Sequence, residues 1–93
     1  MSAAGEVYEL RVTRPAQRQL ERLPHGTAVA IVEFMLSALI ENPYRVGGPL
    51  PRELAGLRSA RRGAYRVVYE IDDAHHAVVV LRIDHRASVY RPR

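Results

Sequence analysis

The sequence predicts an α+β domain whose elements follow the order β-α-α-β-β-β. Three observations predict this class: an alternating apolar pattern near the N-terminus, two successive segments with helical spacing, and three further β segments in the second half. A helix pair followed by a run of strands is typical of a small, mostly antiparallel sheet that a helical hairpin covers on one face. The other face of the sheet is expected to stay open. A chain of 93 residues is too short for two independent cores, so residues 1–93 are expected to form one domain.

In the first half of the chain, the pattern of apolar residues predicts one strand and the helical hairpin. Residues 1–5 are small and polar, as in a flexible leader. The alternation over residues 7–13 predicts the first strand, and Thr13 is suited to cap the helix that follows. That helix is expected to end before Pro24. A second apolar stripe at helical spacing predicts a longer helix that ends near Glu41.

The second half predicts a loop and then three strands. Residues 43–56 hold three of the six prolines and three of the six glycines, a composition typical of a loop. Strands are predicted over residues 57–62, 65–71 and 77–83, with a hairpin turn that begins at Asp72. Five of the seven residues of the last segment are Val, Leu or Ile, which suits a central position in the sheet, away from its edges.

The basic residues are all of one type and are unevenly distributed. All fourteen are arginine, and the formal net charge is +4. Residues 1–47 carry five Arg and five acidic residues, whereas residues 48–93 carry nine Arg and five acidic residues. Guanidinium groups stay protonated at physiological pH and bind phosphate oxygens in pairs. This distribution is typical of a protein that binds a polyanion, although a solvated arginine-rich surface has the same composition.

Composition excludes several classes of function. The chain has no cysteine, which excludes disulfides and thiolate metal ligands. His and acidic residues do not recur at metal-site spacing, and a glycine-rich phosphate loop is absent, so no metal or cofactor is expected. No apolar run approaches the roughly 20 residues of a membrane span, and no basic segment precedes an apolar one at the N-terminus. We therefore expect a cytoplasmic protein that does not contact a membrane.

Basic and aromatic side chains of the second half form a candidate site. Arg66 interrupts an apolar strand, where a guanidinium needs either an acidic partner or a bound anion. Arg82 is predicted to share its sheet face, with Val78 and Val80 beside it. Neighbouring segments complete the candidate set with Arg58, Arg61, Arg62, His85, Arg86 and Tyr90. Guanidinium forks together with Tyr or His rings are suited to single-stranded RNA.

Simpler interpretations exist for several of these groups. Tyr65 and Tyr69 alternate on the expected core face and are better explained by packing than by stacking on bases. The two histidines of the hairpin turn are expected to be solvated. Arg82 has Asp84 or Glu70 available as an acidic partner, which would satisfy its charge within the sheet.

Two motifs of the second half carry a resemblance to a known family. They are Gly-Ala-Tyr-Arg-Val-Val-Tyr at residues 63–69 and His-Arg-Ala-Ser-Val-Tyr at residues 85–90. Together they resemble the RelE toxins of bacterial toxin–antitoxin pairs, especially the actinobacterial branch, and the resemblance extends over residues 7–91. It implies a ribosome-dependent endoribonuclease that cleaves mRNA. It also implies a cognate antitoxin that wraps and inactivates the toxin, and contact with operator DNA only through the antitoxin complex.

The resemblance also implies roles for individual residues. Arg66 matches the family's arginine that contacts the scissile phosphate, and Tyr90 matches its C-terminal tyrosine near the attacking ribose. Another catalytic basic residue corresponds to either His85 or Arg86, because the local spacing differs from that of well-known members. Those members carry lysines before the Tyr-Arg pair, and this chain has none. The same stretch here offers Arg58, Arg61 and Arg62.

The implied reaction is attack of a ribose 2′-OH on the adjacent phosphate, which leaves a 2′,3′-cyclic phosphate and a 5′-OH and requires no metal. Arg66, together with Arg58 or Arg61, is suited to stabilise the negative charge of the transition state. Arginine is a poor base, because its pKa exceeds about 12. Proton transfer is therefore expected from His85 or Tyr90.

Two other functions stay open at this point. The related ParE toxins share the scaffold and inhibit DNA gyrase, although the His-Arg-x-x-x-Tyr ending argues against this branch. The second alternative is an inactive relative that binds only an antitoxin or RNA, which the absence of lysine favours.

Overall fold

A computed structural model describes residues 6–85 and shows the α+β fold that the sequence predicts. Within these residues one sheet of five strands has the order β1-β5-β4-β3-β2. The strands are β1 (Glu9–Val12), β2 (Gly48–Pro49), β3 (Arg58–Arg62), β4 (Tyr65–Asp72) and β5 (Ala77–His85). The helices are α1 (Arg14–Arg22), α2 (His25–Phe34) with a π-helical continuation (Met35–Leu39), and α3 (Pro43–Val46).

The helical hairpin forms where the sequence predicts it. Thr13 caps α1, since its side-chain oxygen accepts a hydrogen bond from the backbone N–H of Ala16 at 3.4 Å. α1 ends before Pro24, which lacks the N–H that a continued helix needs. The second helix extends through its π-helical part to Glu41, as expected. None of the helices described over residues 6–85 is long and apolar enough to cross a lipid bilayer.

β5 lies inside the sheet, between β1 and β4, as its aliphatic sequence predicts. β1 runs parallel to β5, and the pairing extends from Glu9 opposite Ala77 to Val12 opposite Val80. The other neighbouring strands are antiparallel. The sheet is therefore mostly antiparallel, which confirms the prediction.

The segment between the helical hairpin and β3 holds more regular structure than the predicted loop. It contains α3, the short strand β2 and a 3₁₀ turn. Distant side chains hold it: the Tyr69 hydroxyl donates to the Pro43 carbonyl at 2.6 Å, and Arg58 donates to the Gly47 carbonyl at 2.9 Å. A Cβ at Gly47 would lie 2.5 Å from the Ser59 carbonyl oxygen, so this close approach requires glycine. These contacts come from β3 and β4, which is why local composition does not reveal them.

The main core lies between the sheet and the helical hairpin. Helical residues and alternate strand residues contribute its fully buried side chains, among them Ile31, Met35, Leu39, Val67, Tyr69, Val78 and Val80. Tyr65 is partly buried against the same core. The two tyrosines of β4 are thus packing residues, as the simpler interpretation predicts.

The opposite face of the sheet is partly covered, so the expectation that it stays open is wrong. Val68 is fully buried there in a second cluster with Leu50, and Leu54 and Leu57 pack against this cluster. The segment that precedes β3 therefore covers one part of the face. The composition of residues 43–56 is that of a loop and does not reveal this cover.

A β-bulge divides β5 into two parts with opposite alternation. Val68 pairs with Arg82, whereas the next residue of β4, Tyr69, pairs with Val80. Leu81 is therefore an extra residue in β5. Before the bulge the even-numbered residues of β5 point to the main core, and after it the odd-numbered residues do.

Candidate functional site

Three arginines and one aspartate lie on the sheet face that points away from the helical hairpin. We name this surface the arginine face, and its members are Arg61, Arg66, Arg82 and Asp84. Arg66 of β4 lies directly between Arg61 of β3 and Asp84 of β5 in the register. Directly opposed residues of antiparallel strands point to the same face, with Cβ atoms about 5 Å apart. The fold thus brings Arg66 together with two of the predicted phosphate-binding residues, near the open end of the β4–β5 hairpin.

The bulge in β5 puts Arg82 on the arginine face. Arg82 lies opposite Val68, which belongs to the second cluster and not to the main core. Arg82 therefore shares a face with Arg66, as predicted. The prediction that Val78 and Val80 share that face is wrong, because both are fully buried in the main core. A strict period of two cannot reveal this arrangement, since the bulge shifts the alternation by one residue.

Asp84 is the acidic partner of Arg82. Its Oδ2 accepts a hydrogen bond from Arg82 Nε at 2.8 Å, and the two side chains are 17% and 40% exposed, respectively. This pair is one of the two that the sequence offers for Arg82. The bond engages one of the five N–H groups of the guanidinium. Three arginines and one aspartate leave the arginine face with a formal charge of +2.

Gln19 of α1 belongs to this site, and sequence analysis missed it. Its Nε2 donates to Asp84 Oδ1 at 3.0 Å, and its Oε1 accepts from the backbone N–H of Ile83 at 2.7 Å. In the sequence this residue has the signal of an ordinary polar position on an amphipathic helix. Only the packing of α1 beside β5 shows its role.

Arg58 lies on the helix side of the sheet and connects segments of the fold. It is opposite Tyr69 in the register. Its Nη2 donates to the carbonyl oxygens of Tyr44 at 3.0 Å and Gly47 at 2.9 Å. Its guanidinium carbon lies 5.2 Å from the centre of the Tyr44 ring, a cation–π distance. The fold does not bring Arg58 to the arginine face, so its predicted role in phosphate binding there has no geometric support.

Arg62 also points away from the arginine face. It lies opposite Tyr65, and its guanidinium carbon is 4.9 Å from the centre of the Phe34 ring. Together with Ala30 and Ile31 it lines a shallow groove between α2 and the β3–β4 turn. Arg61 and Arg62 are therefore neighbours in sequence on opposite sides of one strand.

His85 is the last described residue of the chain and lies beside Tyr65. The two residues are opposite in the register, and their rings meet edge to face with centroids 5.4 Å apart. His85 is exposed and belongs to the Tyr65 side of the sheet. Arg86 and Tyr90 lie outside the described residues, so their roles stay predictions.

The arginine face has the chemistry of an anion site. Within residues 6–85, no group of three or more His, Asp or Glu side chains is arranged to hold a metal ion. Guanidinium groups pair with phosphate oxygens through two parallel N–H bonds, and fixed guanidinium groups stabilise charge that develops on those oxygens. The arrangement is thus suited to bind a phosphodiester.

A second polar cluster lies at the turn end of the hairpin, where β4 ends and β5 begins. Asp73 accepts hydrogen bonds from the hydroxyl of Tyr8 at 3.0 Å and from the hydroxyl of Tyr44. The pKa of Tyr8 is raised by burial and by this bond, and the pKa of Tyr44 is raised chiefly by its bond to Asp73. Tyr8 also stacks on His76, with ring centroids 3.9 Å apart. The cluster joins the residue that precedes β1, α3 and the hairpin turn.

The other histidine of the turn also has a partner. His75 and His76 are exposed, as expected. His75 Nδ1 lies 2.8 Å from Asp72 Oδ2, and this hydrogen bond is the largest cause that holds the pKa of Asp72 below its ordinary value. The two turn histidines thus have different partners, since His76 stacks on Tyr8 and His75 pairs with Asp72.

Comparison with solved structures defines the class of protein. A chain of the toxin–antitoxin complex RelBE2 from Mycobacterium tuberculosis matches with a TM-score of 0.84 and 53% identity, over 87% of this chain and 100% of that chain. A chain of the archaeal RelE–RelB complex from Pyrococcus horikoshii OT3 matches with a TM-score of 0.70, over 90% of this chain and 100% of that chain. At 21% identity, the second likeness shows the fold alone. The fold is that of the RelE toxins.

Sequence comparison then gives the family. The model of the family described as ParE toxin of type II toxin-antitoxin system, parDE, matches residues 10–90. Toxin RelG of Mycobacterium tuberculosis is 55% identical over 84 residues, which cover 90% of this chain and 97% of RelG. Toxin RelE of the same organism is 51% identical over 84 residues, which cover 90% of this chain and 87% of RelE. The chain belongs to this family of type II toxins and is a toxin of the RelE type, as its two motifs predict.

Proposed function

We propose that this toxin is an endoribonuclease that cleaves mRNA on the ribosome and thereby inhibits translation. The observation that carries the proposal is the arginine face, where Arg66 lies between Arg61 and Asp84, with Arg82 beside them. Such a surface fits the phosphodiester backbone of a single strand, because its guanidinium groups come from three adjacent strands of one sheet. The 51–55% identity to toxins named RelE and RelG supports the same activity.

The proposed reaction is attack of a ribose 2′-OH on the adjacent phosphate. The new O2′–P bond forms while the P–O5′ bond breaks, which leaves a 2′,3′-cyclic phosphate and a 5′-OH. Negative charge grows on the phosphate oxygens during this step, and Arg66 with Arg61 or Arg82 stabilises it. Removal of one such preorganised donor typically costs about 10² to 10³ in rate. Because the guanidinium groups supply the positive charge, the proposed reaction uses no metal ion or other cofactor.

Two protons must move in this reaction, one from the 2′-OH and one to the leaving 5′ oxygen. Arginine stays protonated at neutral pH and cannot take the first proton. His85 lies beside Tyr65, on the other side of the sheet from Arg66. This placement argues against His85 as the group that accepts the 2′-OH proton. We propose that Tyr90 accepts it as a phenolate, a form that nearby guanidinium charge favours, and that water protonates the leaving 5′ oxygen. Arg86 is then the second basic residue of the catalytic set. Tyr90→Phe should therefore lower the cleavage rate and change its pH profile, whereas His85→Gln should change neither.

A toxin that cleaves mRNA must be inhibited in the cell that makes it. The solved complexes of Mycobacterium tuberculosis and Pyrococcus horikoshii pair such toxins with antitoxins. We propose a cognate antitoxin here whose acidic or amphipathic segment masks the arginine face, since opposite charge favours such a pair. The toxin would contact operator DNA only within that complex. Because its proposed substrate is mRNA on ribosomes, we propose that the toxin acts in the cytoplasm.

The decisive experiment is primer extension on mRNA bound to purified ribosomes. Wild-type protein is compared with Arg66→Ala and with the matched control Arg62→Ala, which removes the same charge from the other side of the sheet. Arg66→Ala should cleave about 10² to 10³ times more slowly, and Arg62→Ala should cleave at nearly the wild-type rate. Labelling of the downstream fragment by a 5′-OH kinase, without prior phosphatase treatment, tests the expected product end.

Three outcomes would contradict the proposal. Equal losses in both variants would mean that overall charge matters and the arginine face does not. A 5′-phosphate on the product would mean a different reaction. Absence of cleavage by the wild type would exclude the nuclease, and a DNA gyrase supercoiling assay would then separate the second candidate, gyrase inhibition, from an inactive antitoxin-binding relative. The family model that matches residues 10–90 is described as that of ParE toxins, which is the reason to include this assay.

A further inference from the structure

The edge of β5 changes its neighbour partway along the strand. Pairing with β1 ends where Val12 lies opposite Val80. Beyond Val80, the same edge of β5 is contacted by Thr13, which caps α1, and by Gln19 of α1. Thr13 Oγ1 donates to the Leu81 carbonyl at 3.1 Å, and Gln19 Oε1 accepts from the Ile83 N–H at 2.7 Å. A side-chain amide thus takes the place of a neighbouring strand beside the part of β5 that carries the arginine face.

The same amide continues into the arginine face. Gln19 Nε2 donates to Asp84 Oδ1 at 3.0 Å, and Asp84 Oδ2 accepts from Arg82 Nε at 2.8 Å. Three hydrogen bonds therefore connect the backbone of Ile83 to the guanidinium of Arg82 through two side chains. Both carboxylate oxygens of Asp84 have a partner in this chain of bonds.

We propose that Gln19 is a positioning residue, which orients Arg82 through Asp84 for contact with a phosphate of the RNA; its consequence for cleavage rests on the proposed function. This role requires one side chain that accepts from the Ile83 N–H and also donates to Asp84. The amide of glutamine has both an acceptor oxygen and a donor nitrogen, whereas an ionised glutamate has only acceptors. With Nε held by Asp84, the plane of the Arg82 guanidinium is fixed, and the four N–H groups of its two terminal nitrogens lie outside that bond. A donor fixed in advance does not need to be ordered when the transition state forms.

A purely structural role for Gln19 is the competing explanation, because its bond to Ile83 also completes the edge of β5. Gln19→Glu separates the two roles. The glutamate keeps an acceptor for the Ile83 N–H, but it places a second carboxylate against Asp84 and loses the donor. Gln17→Ala is the matched control, since Gln17 lies on the same helix and its Nε2 donates to the Val12 carbonyl at 2.9 Å. That bond does not lead to the arginine face.

The experiment combines kinetics with an NMR measurement on the RNA-free protein. We expect Gln19→Glu to lower kcat for cleavage about tenfold, less than loss of a direct donor, with KM little changed. The melting temperature should fall by a few degrees, because two carboxylates then face each other, and cleavage is therefore compared well below it. Gln17→Ala should leave kcat unchanged. In an Arg82→Ala background, Gln19→Glu should cause no further loss, because the group that it positions is absent. The Arg82 Nε–H signal should shift and exchange faster with solvent in Gln19→Glu and should stay unchanged in Gln17→Ala.

Either of two results would overturn the proposal: an unchanged Arg82 Nε–H signal in Gln19→Glu, or a loss of kcat that adds in full to that of Arg82→Ala. The NMR measurement does not depend on catalysis. If the wild type fails to cleave mRNA, the proposed function is wrong, and the Nε–H signal alone still decides whether Gln19 positions Arg82.

Discussion

At the turn end of the β4–β5 hairpin, Asp73 accepts hydrogen bonds from two tyrosines, and Arg58 donates to two backbone carbonyls nearby. At the open end, Asp84 accepts from Gln19 and Arg82, and the bond from Arg82 engages Nε. Both ends combine carboxylates with arginine. At the turn end these groups only join separate segments of the fold, whereas at the open end they also hold the partly exposed guanidinium of Arg82.

The difference shows that an arginine cannot be assigned to binding or to structure by its type or by its position in a basic segment. Arg58 and Arg61 are three residues apart in one strand, and their sequence context predicts the same phosphate-binding role for both. The first donates to the backbone of another segment, and the second lies on the arginine face. Substitutions at the two ends of the hairpin should therefore separate stability from activity.

Arg58→Ala should cause the largest loss of stability. Two carbonyl oxygens would lose a charged donor, and each such bond contributes about 1.5 to 3 kcal/mol. We expect the free energy of unfolding to fall by about 2 to 3 kcal/mol, and the melting temperature to fall by about 10 to 20 °C for a domain of this size. Thermal and urea unfolding measure both quantities, and cleavage below the melting temperature should be nearly unchanged.

Arg61→Ala is the matched partner of that experiment. It should leave the melting temperature unchanged and slow cleavage by about tenfold or more, because a phosphate-binding donor is lost. A large loss of stability in Arg61→Ala, or a large loss of kcat in Arg58→Ala, would remove the distinction between the two ends of the hairpin.

Gly47→Ala should cause the next largest loss of stability, also near the turn end of the hairpin. A Cβ at this position would lie 2.5 Å from the Ser59 carbonyl oxygen and 2.6 Å from the Tyr69 hydroxyl oxygen. Relief of such overlap requires backbone movement, which typically costs about 2 kcal/mol. Gly48→Ala is a suitable control, since its Cβ would meet nothing within 4 Å. Urea unfolding of the two variants compares them, and equal midpoints would contradict the close approach at Gly47.

Tyr69→Phe should cost about 1 kcal/mol, because the buried Pro43 carbonyl loses its donor. It should also change stability at high pH. Burial is the largest cause that raises the pKa of Tyr69 above 10.0, so this group stabilises the fold below the unfolded pKa. That stabilisation is lost as the pH rises through the folded pKa. Wild type should therefore lose stability above about pH 10 more steeply than Tyr69→Phe, as measured by urea unfolding across that range.

His75→Ala should have the smallest effect. Without the His75 hydrogen bond, the pKa of Asp72 should rise toward its ordinary value of 3.8. A carboxylate with a lowered pKa stabilises the fold above its unfolded pKa, and this contribution is lost as the pH falls through the folded pKa. The variant should thus lose less stability than wild type on acidification. Carbon NMR titration of the Asp72 carboxyl measures the shift directly, and an unmoved midpoint would mean that His75 does not bond Asp72 in solution.

Local patterns were sufficient to predict most of the fold. The Thr13 cap, the end of α1 before Pro24 and the interior position of β5 all follow from residues close together in the chain. The structure of residues 43–49 could not be predicted in this way. Its helix and short strand depend on Tyr69 and Arg58, which lie in strands formed later in the sequence.

The candidate site was only partly predictable for the same reason. Arg66 stands out in the sequence because a charged residue in an apolar strand needs a partner or a ligand. The separation of Arg61 from Arg58 depends on strand alternation and on distant carbonyl groups. Gln19 could not be identified at all, since its partners lie 64 and 65 residues away in β5. Sequence patterns reveal charge and periodicity, and they do not reveal which distant backbone groups a side chain meets.

The extra residue Leu81 has a consequence for how β5 can vary. Because the alternation shifts there, Ala77–Val80 and the residues after the bulge follow separate inside–outside patterns within one strand. Core substitutions within Ala77–Val80 therefore need not alter the part of the arginine face that the residues after Leu81 carry. Deletion of Leu81 would make Arg82 the direct successor of Val80 in regular alternation, so that Arg82 and Asp84 would still lie on the arginine face and Ile83 in the core.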